Sequence, residues 1–313
     1  MNSGTTGAPL AWIEVRVLAP ESWLELVADA LVFGPRDAIA FGRPSLASPE
    51  PPAGFEYVRA SYPAEEDSPE RRAEVQARLE RLAEATQEEE LAGLSLTFRA
   101  LPPEDWATSW KKNWKPMRVG RFALVLPEHR GALQPGDIRI ELEPGIAFGT
   151  GRHPSTRQCL AALTDLPVRG ERVLDAGTGS GLLAVAAAKL GASQVHGFDI
   201  DPHCVRAARE LAERNGVADR CHFETGGFEL VAVGAPLAQV PYGALFANIY
   251  ADLLQQHAPD IARLLRPGGW YALAGCSQPG AAGTRAALAN SRLELTRELV
   301  RGRWHGFHGH KPG

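Results

Sequence analysis

Apolar and polar positions alternate from Leu10 to Leu18 (LAWIEVRVL), the period-two signature of a half-buried strand. After Pro20 the spacing becomes helical over Glu21 to Phe33, and Asp37 to Phe41 and Phe55 to Tyr62 return to strand character. Ser68 to Leu91 reads as a charged helix opened by Ser68-Pro69, an N-cap and first-turn proline, and Leu94 to Leu101 closes the set as a strand. The order β-α-β-β-α-β predicts a small α+β ferredoxin-like domain over residues 9–101, a module without intrinsic chemistry. No acid, base or nucleophile converges in it. Pro44 to Pro52 reads as a loop, and Gln87 to Glu90 as a solvated helix end.

Residues 102–117 (PPEDWATSWKKNWKPM) read as a helical linker. Trp106, Trp110 and Trp114 recur at i, i+4 and i+8 and so share one stripe, with Lys111, Lys112 and Lys115 largely to its side. Packing of that stripe against the larger domain is the plain expectation; a partner-docking surface at Lys111-Lys112 is the sharper one. From 118 to 313 the pattern predicts a Rossmann-like, seven-stranded α/β domain. Two short strands, 118–126 and 137–142, lead in. Strands then follow at Val173-Leu174, Gln194 to Phe198, Cys221 to Glu224, Ala244 to Asn248 and Trp270 to Ala274, with two more inside Asn290 to Lys311. Helices are expected at Leu182 to Leu190, Pro202 to Asn215 and Leu253 to Leu265, and a turn at Arg266-Pro267-Gly268-Gly269.

The chemistry concentrates at residues 173–201 (VLDAGTGSGLLAVAAAKLGASQVHGFDID), where a strand runs into a glycine turn and an Ala-rich helix. Gly177, Gly179 and Gly181 let the backbone approach a ligand that a Cβ would push away. Asp199 ends the next strand, 22 residues after Gly177, where a carboxylate can accept from both ribose hydroxyls of a nucleoside. A dinucleotide-binding oxidoreductase is the main rival, but its fingerprint is G-x-G-x-x-G. Here the spacing is G-x-G-x-G with Leu182 and Leu183 following, and Asp175 stands two residues ahead of the first glycine. That pattern fits S-adenosyl-L-methionine, which has no pyrophosphate to cradle, better than NAD.

The loop Glu143 to Thr156 (EPGIAFGTGRHPST) leads to a helix opened by Pro154, whose free N–H groups beside Ser155 and Thr156 suit the cofactor's carboxylate. Simple capping by Ser155 or Thr156 is the alternative. Asn248 falls at the end of the fourth strand, facing the same crevice, where its carbonyl could accept from an attacking amine or from the cofactor, or else cap the next helix. Asp201-Pro202 reads as an N-cap and first-turn proline rather than a second ribose ligand. His305, His308 and His310 have no carboxylate or thiolate partner in sequence and fit no zinc spacing.

Composition narrows the rest. The 313 residues are 44% hydrophobic and 22% charged with a net charge of −4, so no global basic field points to nucleic acid. The first residues lack a basic segment leading into an apolar one, and no long apolar run suggests a membrane span, so a cytoplasmic protein is expected. A monomer is the expected oligomeric state. Cys159, Cys204, Cys221 and Cys276 are scattered, which suits free thiols.

The segments LEPGIAFGTGRHPST, VLDAGTGSGLLAVAAAKLGA, GFDIDPHCVRAARELAERNGV and FANIYADLL together resemble the bacterial PrmA-type methyltransferases of ribosomal protein L11, and EDWATSWKKNWKPMRVG is similar to their connector. The resemblance is dense from about residue 104 to 276. It implies a substrate-recruiting ferredoxin-like domain joined to a class I methyltransferase domain, with cofactor contacts at Thr156, Gly177, Asp199 and Asn248. It also implies methylation of lysine ε-amines and the N-terminal α-amine of the ribosomal protein. Arg152 stands where the family usually has threonine, Thr178 where it often has cysteine, and Tyr250-Ala251-Asp252-Leu253 where it usually has Leu-Ala-x-Pro.

Direct displacement by a neutral amine is the expected mechanism, and it needs alignment of donor and acceptor more than a dedicated base. Asn248 and Thr156 are expected to orient the amine. His153 is the nearest candidate for proton transfer, or a residue that fixes the loop.

Overall fold

The computed structural model describes residues 12–31, 38–41, 49–86, 88–101, 116–127, 133–142, 151, 153–302 and 304–313. The chain divides into two compact units, whose described parts are residues 12–101 and 116–313.

The first unit holds β1 (Trp12–Pro20), α1 (Leu24–Leu31), β2 (Ala38–Phe41), β3 (Phe55–Pro63), α2 (Pro69–Thr86) and β4 (Thr97–Leu101). They form an antiparallel sheet in the order β2-β3-β1-β4, the ferredoxin-like arrangement that the β-α-β-β-α-β pattern predicts. Alternation puts Ile13, Val15, Val17 and Ala19 with Val58, Ala60 and Tyr62 on one face, in one core with Val27 and Leu31 of α1 and Val75 and Leu79 of α2. Ser68 caps α2, its Oγ accepting from the Arg71 N–H at 3.1 Å. The helix is shorter than its charge pattern suggests: it stops at Thr86, and Glu89–Leu91 forms a separate 3₁₀ turn. The tryptophan stripe of the linker lies outside the described residues.

The second unit begins with a three-stranded sheet, β5 (Met117–Val119), β6 (Phe122–Val125) and β7 (Ile138–Glu141), in the order β5-β6-β7. The single strand expected over 118–126 is thus two, broken by a turn at Gly120-Arg121. The major sheet follows, built from β8 (Arg172–Ala176), β9 (Gln194–Asp199), β10 (Cys221–Thr225), β11 (Tyr242–Asn248), β12 (Leu265–Ser277), β13 (Glu294–Arg301) and β14 (Trp304–His310). Its order is β10-β9-β8-β11-β12-β14-β13; the first five are parallel, and β14 runs antiparallel between β12 and β13. The order reverses between β8 and β11, so the ligand crevice of such a sheet lies beyond their carboxyl ends.

Helices α3 (Pro154–Asp165), α4 (Leu182–Lys189) and α5 (Pro202–Arg214) form a contiguous row, and α6 (Ala251–Leu264) and α7 (Gln278–Asn290) pack on each other. Leu254, Ala258 and Ile261 of α6 and Leu288 of α7 share a core with Leu174, Leu245, Leu273 and Phe307 of the sheet. Helix α7 has no forecast in the hydrophobic pattern because Pro279, Gly280 and Gly283 lower its helix propensity. The glycines are there for contact. A Cβ on Gly280 would collide with Ala251, and one on Gly283 would come 2.9 Å from the Gln255 amide, both on α6. Arg266 to Gly269 is a second departure. The turn does not precede a strand but bulges from β12, whose pairing with β11 jumps from Tyr242–Leu265 to Ala244–Trp270.

Candidate active site

The glycine turn is built on Asp175, the fourth residue of β8, which is fully buried. Its Oδ2 accepts from the Thr178 hydroxyl at 2.7 Å and from the Ala184 N–H at 3.1 Å, tying the turn to the first residues of α4. The N–H groups of Gly177 and Thr178 both donate to the Phe198 carbonyl at 2.9 Å, which folds the turn over the end of β9. Gly177, Gly179 and Gly181 all have positive φ, 71°, 54° and 79°. At Gly177 a Cβ would lie 2.5 Å from Ile249 Cγ2, and at Gly181 2.8 Å from the Ala208 backbone of α5. Neither position accepts a side chain without moving a neighbour.

Asp199, at the end of β9, is already held in place: its Oδ2 accepts from the Gly179 N–H at 2.9 Å and its Oδ1 from the Asp201 N–H at 3.0 Å. Each oxygen keeps a second acceptor direction. Asp201 is the N-cap of α5, accepting from the His203 N–H at 2.8 Å, in line with its reading as a cap.

Asn248 ends β11 and donates from Nδ2 to the Thr156 hydroxyl at 3.2 Å, so residues 92 positions apart meet at one point of the crevice. It does not cap α6, whose N-cap is Tyr250. Asn248 Oδ1 and Asp175 Oδ1 are buried acceptors with no hydrogen-bond partner among the described residues. Leaving such atoms unsatisfied costs about 1–3 kcal/mol each, so an incoming donor is favoured there.

His153, and neither Ser155 nor Thr156, caps α3. Its Nδ1 accepts from the Ser155 N–H at 3.2 Å and lies 2.6 Å from the Ser155 hydroxyl, while its ring meets Trp304 edge-on at 4.5 Å between centroids. Burial drops its pKa to about 3. Burial that disfavours the protonated ring suits the loop-fixing alternative better than proton transfer. Of the preceding loop only Gly151 and His153 are described; residues 143–150 and Arg152 lie outside the described residues.

Gln158 is the positioning residue that sequence reasoning misses. Fully buried on α3, it donates from Nε2 to the Leu299 and Trp304 carbonyls, both at 2.9 Å, and so fastens the β13–β14 hairpin beside the Thr156 end of the helix. A polar residue directly ahead of the apolar stretch Cys159 to Leu163 was the available signal. Gln158→Leu removes both bonds in a buried place and is expected to cost about 1–3 kcal/mol. Thermal unfolding checks it: a midpoint lowered by several degrees is expected, and an unchanged one would refute the fastening role.

No cluster of three or more potential ligands occurs among the described residues. His305 pairs with Glu298 at 2.5 Å, whereas His308 is buried and its pKa is depressed to about 4, chiefly by desolvation. The four cysteines are free. No helix among the described residues is long and apolar enough to cross a membrane.

S-adenosylmethionine presents an ammonium, a carboxylate and two ribose hydroxyls, and the crevice has matching features. There is an unsatisfied acceptor on Asn248, a carboxylate at the end of β9, a glycine cradle and a helix N-terminus at Pro154. Leu182 and Leu183, where a pyrophosphate-binding turn would need a glycine, are buried in α4. With β14 inserted antiparallel between β12 and β13, the fold is that of the class I S-adenosylmethionine-dependent methyltransferases. The sequence profile of the family described as ribosomal protein L11 methyltransferase (PrmA) matches residues 11–312, and the chain belongs to that family.

The ribosomal protein L11 methyltransferase of Geobacter metallireducens is 36% identical over 300 residues, covering 94% of this chain and 96% of that protein. Its counterpart from Pelotomaculum thermopropionicum is 36% identical over 313 residues, covering 94% of this chain and 97% of that one. The crystal structure of ribosomal protein L11 methylase from Lactobacillus delbrueckii subsp. bulgaricus matches with a TM-score of 0.58 at 27% identity, covering 64% of this chain and 100% of that one.

Proposed function

We propose that the protein transfers methyl groups from S-adenosylmethionine to amines of ribosomal protein L11, at lysine ε-amines, the N-terminal α-amine, or both. The observation that carries this reading is that the family likeness spans residues 11–312, both units of the chain rather than the catalytic unit alone. A substrate-recruiting role for the first unit accords with that span and with the absence of convergent chemistry in its sequence.

In this reading Asp199 holds the ribose hydroxyls, and the backbone of Gly177, Gly179 and Gly181 lines the face of the cofactor. Thr156 and the start of α3 hold its carboxylate, and Asp175 Oδ1 receives its ammonium. The bound sulfonium supplies an activated methyl group with a good leaving group. What the protein adds is alignment, worth several kcal/mol when the attacking atom is held in line. Asn248 Oδ1 accepts from the acceptor amine's N–H while Thr156 fixes the amide's other end. A lysine amine, with an ordinary pKa of about 10.4, must lose its proton on desolvation in the crevice, and the proton passes to water.

The test is incubation of the purified protein with labelled S-adenosylmethionine and the same organism's ribosomal protein L11, followed by mass spectrometry. Added methyl units on lysines or the N-terminus are expected. Intact cofactor binding without transfer would sink the substrate assignment and move the search to other proteins or to small amines.

A further inference from the structure

Helix α3 carries Thr156 in its first turn, and one residue of β14 touches that turn at both ends. Trp304 opens β14 and is 4% exposed, its backbone in register with Ser277 of β12 on one side and Arg301 of β13 on the other. Its ring meets the ring of His153, the N-cap of α3, edge-on at 4.5 Å between centroids. Its carbonyl accepts from Gln158 Nε2 at 2.9 Å, just past the first turn. The helix lies close to the strand there: a Cβ on Gly306 would come 3.2 Å from Gln158 Cβ and Oε1. Burial of an indole ring stabilises any core, but it does not require the ring and the carbonyl of one residue to converge on a single helical turn.

His153 passes the hold on to the helix. Its Nδ1 accepts from the Ser155 N–H at 3.2 Å and its carbonyl from the Arg157 N–H at 3.0 Å, the two residues that flank Thr156. The Thr156 hydroxyl in turn accepts from Asn248 Nδ2 at 3.2 Å, which leaves its own hydrogen to donate to an anion at the helix start. Hydrogen bonds weaken steeply outside a narrow range of distance and angle, so the placement of this turn decides how well it holds a carboxylate.

Resting on the reading above in which Thr156 and the start of α3 hold the cofactor's carboxylate, we propose that Trp304 is a positioning residue for that site, acting through His153 and Gln158. Ring and carbonyl brace the turn at its two ends, and Thr156 lies between them. Strand β14 thereby bears on the amino-acid end of the ligand, while Asp199 of β9 serves the ribose end.

The experiment compares two ligands by calorimetric titration of the full-length protein. S-adenosylhomocysteine keeps the amino-acid tail; 5′-methylthioadenosine shares its adenosine and thioether but has neither carboxylate nor ammonium. Trp304→Leu removes the ring and is expected to weaken S-adenosylhomocysteine binding about tenfold, the scale of one charge-assisted hydrogen bond, with 5′-methylthioadenosine binding held within about twofold. Trp304→Phe retains a ring and is expected to fall between Trp304→Leu and wild type. Gln158→Leu leaves the ring and removes the carbonyl bond, and the same selective loss is expected, which tests the brace even where Trp304→Leu fails to fold. A loss shared equally by both ligands makes Trp304 a general packing residue and overturns the proposal, as does an unchanged affinity for S-adenosylhomocysteine. Thr156→Val separates the two possible failures. A selective loss in Thr156→Val with none in the Trp304 and Gln158 variants keeps the carboxylate site and overturns this inference alone; an unchanged affinity in Thr156→Val overturns the carboxylate reading and this inference together.

Discussion

Replacing Asp199 with alanine is expected to weaken S-adenosylmethionine binding by roughly two to four orders of magnitude. Each hydrogen bond from a ribose hydroxyl to an ionised carboxylate is worth about 1.5–3 kcal/mol, and every 1.4 kcal/mol is a factor of ten. The loss has a second source, since the same carboxylate holds the Gly179 and Asp201 N–H groups and so shapes the turn that it faces. Asp199→Asn keeps an acceptor oxygen while removing the charge and is expected to fall between the two. Calorimetric titration is the check, with circular dichroism to establish that the fold survives. A dissociation constant within threefold of wild type would remove Asp199 from the ribose site.

The second large effect concerns Asp175. Burial pushes its carboxyl up to about 7, against the hydrogen bonds from Thr178 and Ala184 that favour the charged form, and Asp199 adds to the rise. A carboxyl with an unfolded value of about 3.9 is thus more readily protonated in the folded chain. Its contribution to stability is full below pH 4 and is lost as pH rises through 7, a few kcal/mol at about 1.4 kcal/mol per unit.

Three buried histidines pull the other way. His153 is depressed to about 3, and His196 and His308 to about 4, so each withdraws stability as pH falls below its ordinary value near 6.5. Between pH 4 and 6.5 the three together outweigh one carboxyl, and the wild-type profile alone does not isolate Asp175. The difference between Asp175→Asn and wild type does. That difference is expected to be small at pH 4 and to grow to a few kcal/mol in favour of asparagine by pH 8, read from denaturant or thermal unfolding. Parallel profiles would show that Asp175 ionises freely in the fold. An ammonium donated to Asp175 Oδ1 would favour the charged form, so cofactor binding should release a proton below pH 7 and should narrow the gap between the two proteins.

Much of this molecule was legible in its sequence because local signals agreed with tertiary need. The ferredoxin-like unit follows from alternation in β1 and β3, and the caps at Ser68 and Asp201 were visible from a polar side chain before proline. What escaped depended on partners far along the chain. Gly280 and Gly283 look like helix breakers until α6 is seen against them. The Arg266-Pro267-Gly268-Gly269 signal reads as a turn, yet all four residues lie within β12 as an irregularity in its pairing, because β11 continues alongside. Asn248 and Asp199 stand at the strand ends where the pattern places them. The role of Gln158 was not legible, since its two acceptors lie 141 and 146 positions away. His153 stands in the sequence as a candidate for proton transfer or for fixing the loop, and its burial against Trp304 and its bond to the Ser155 N–H favour the second.

The placement of β14 between β12 and β13 has a consequence for how the chain acquires its shape during synthesis. Among the described residues strand β13 pairs only with β14, so it gains that neighbour only after residues 304–310 have been added. Until then the edge of β12 is open and Gln158 lacks one of its two acceptors. The β12–β14 pairing and the bonds of Gln158 to the hairpin join distant residues and raise contact order, and they postpone closure of this side of the sheet until residues 304–310 have been made. A nascent chain stalled before Trp304 would carry an intact glycine turn together with an unpaired edge strand, the form most exposed to aggregation.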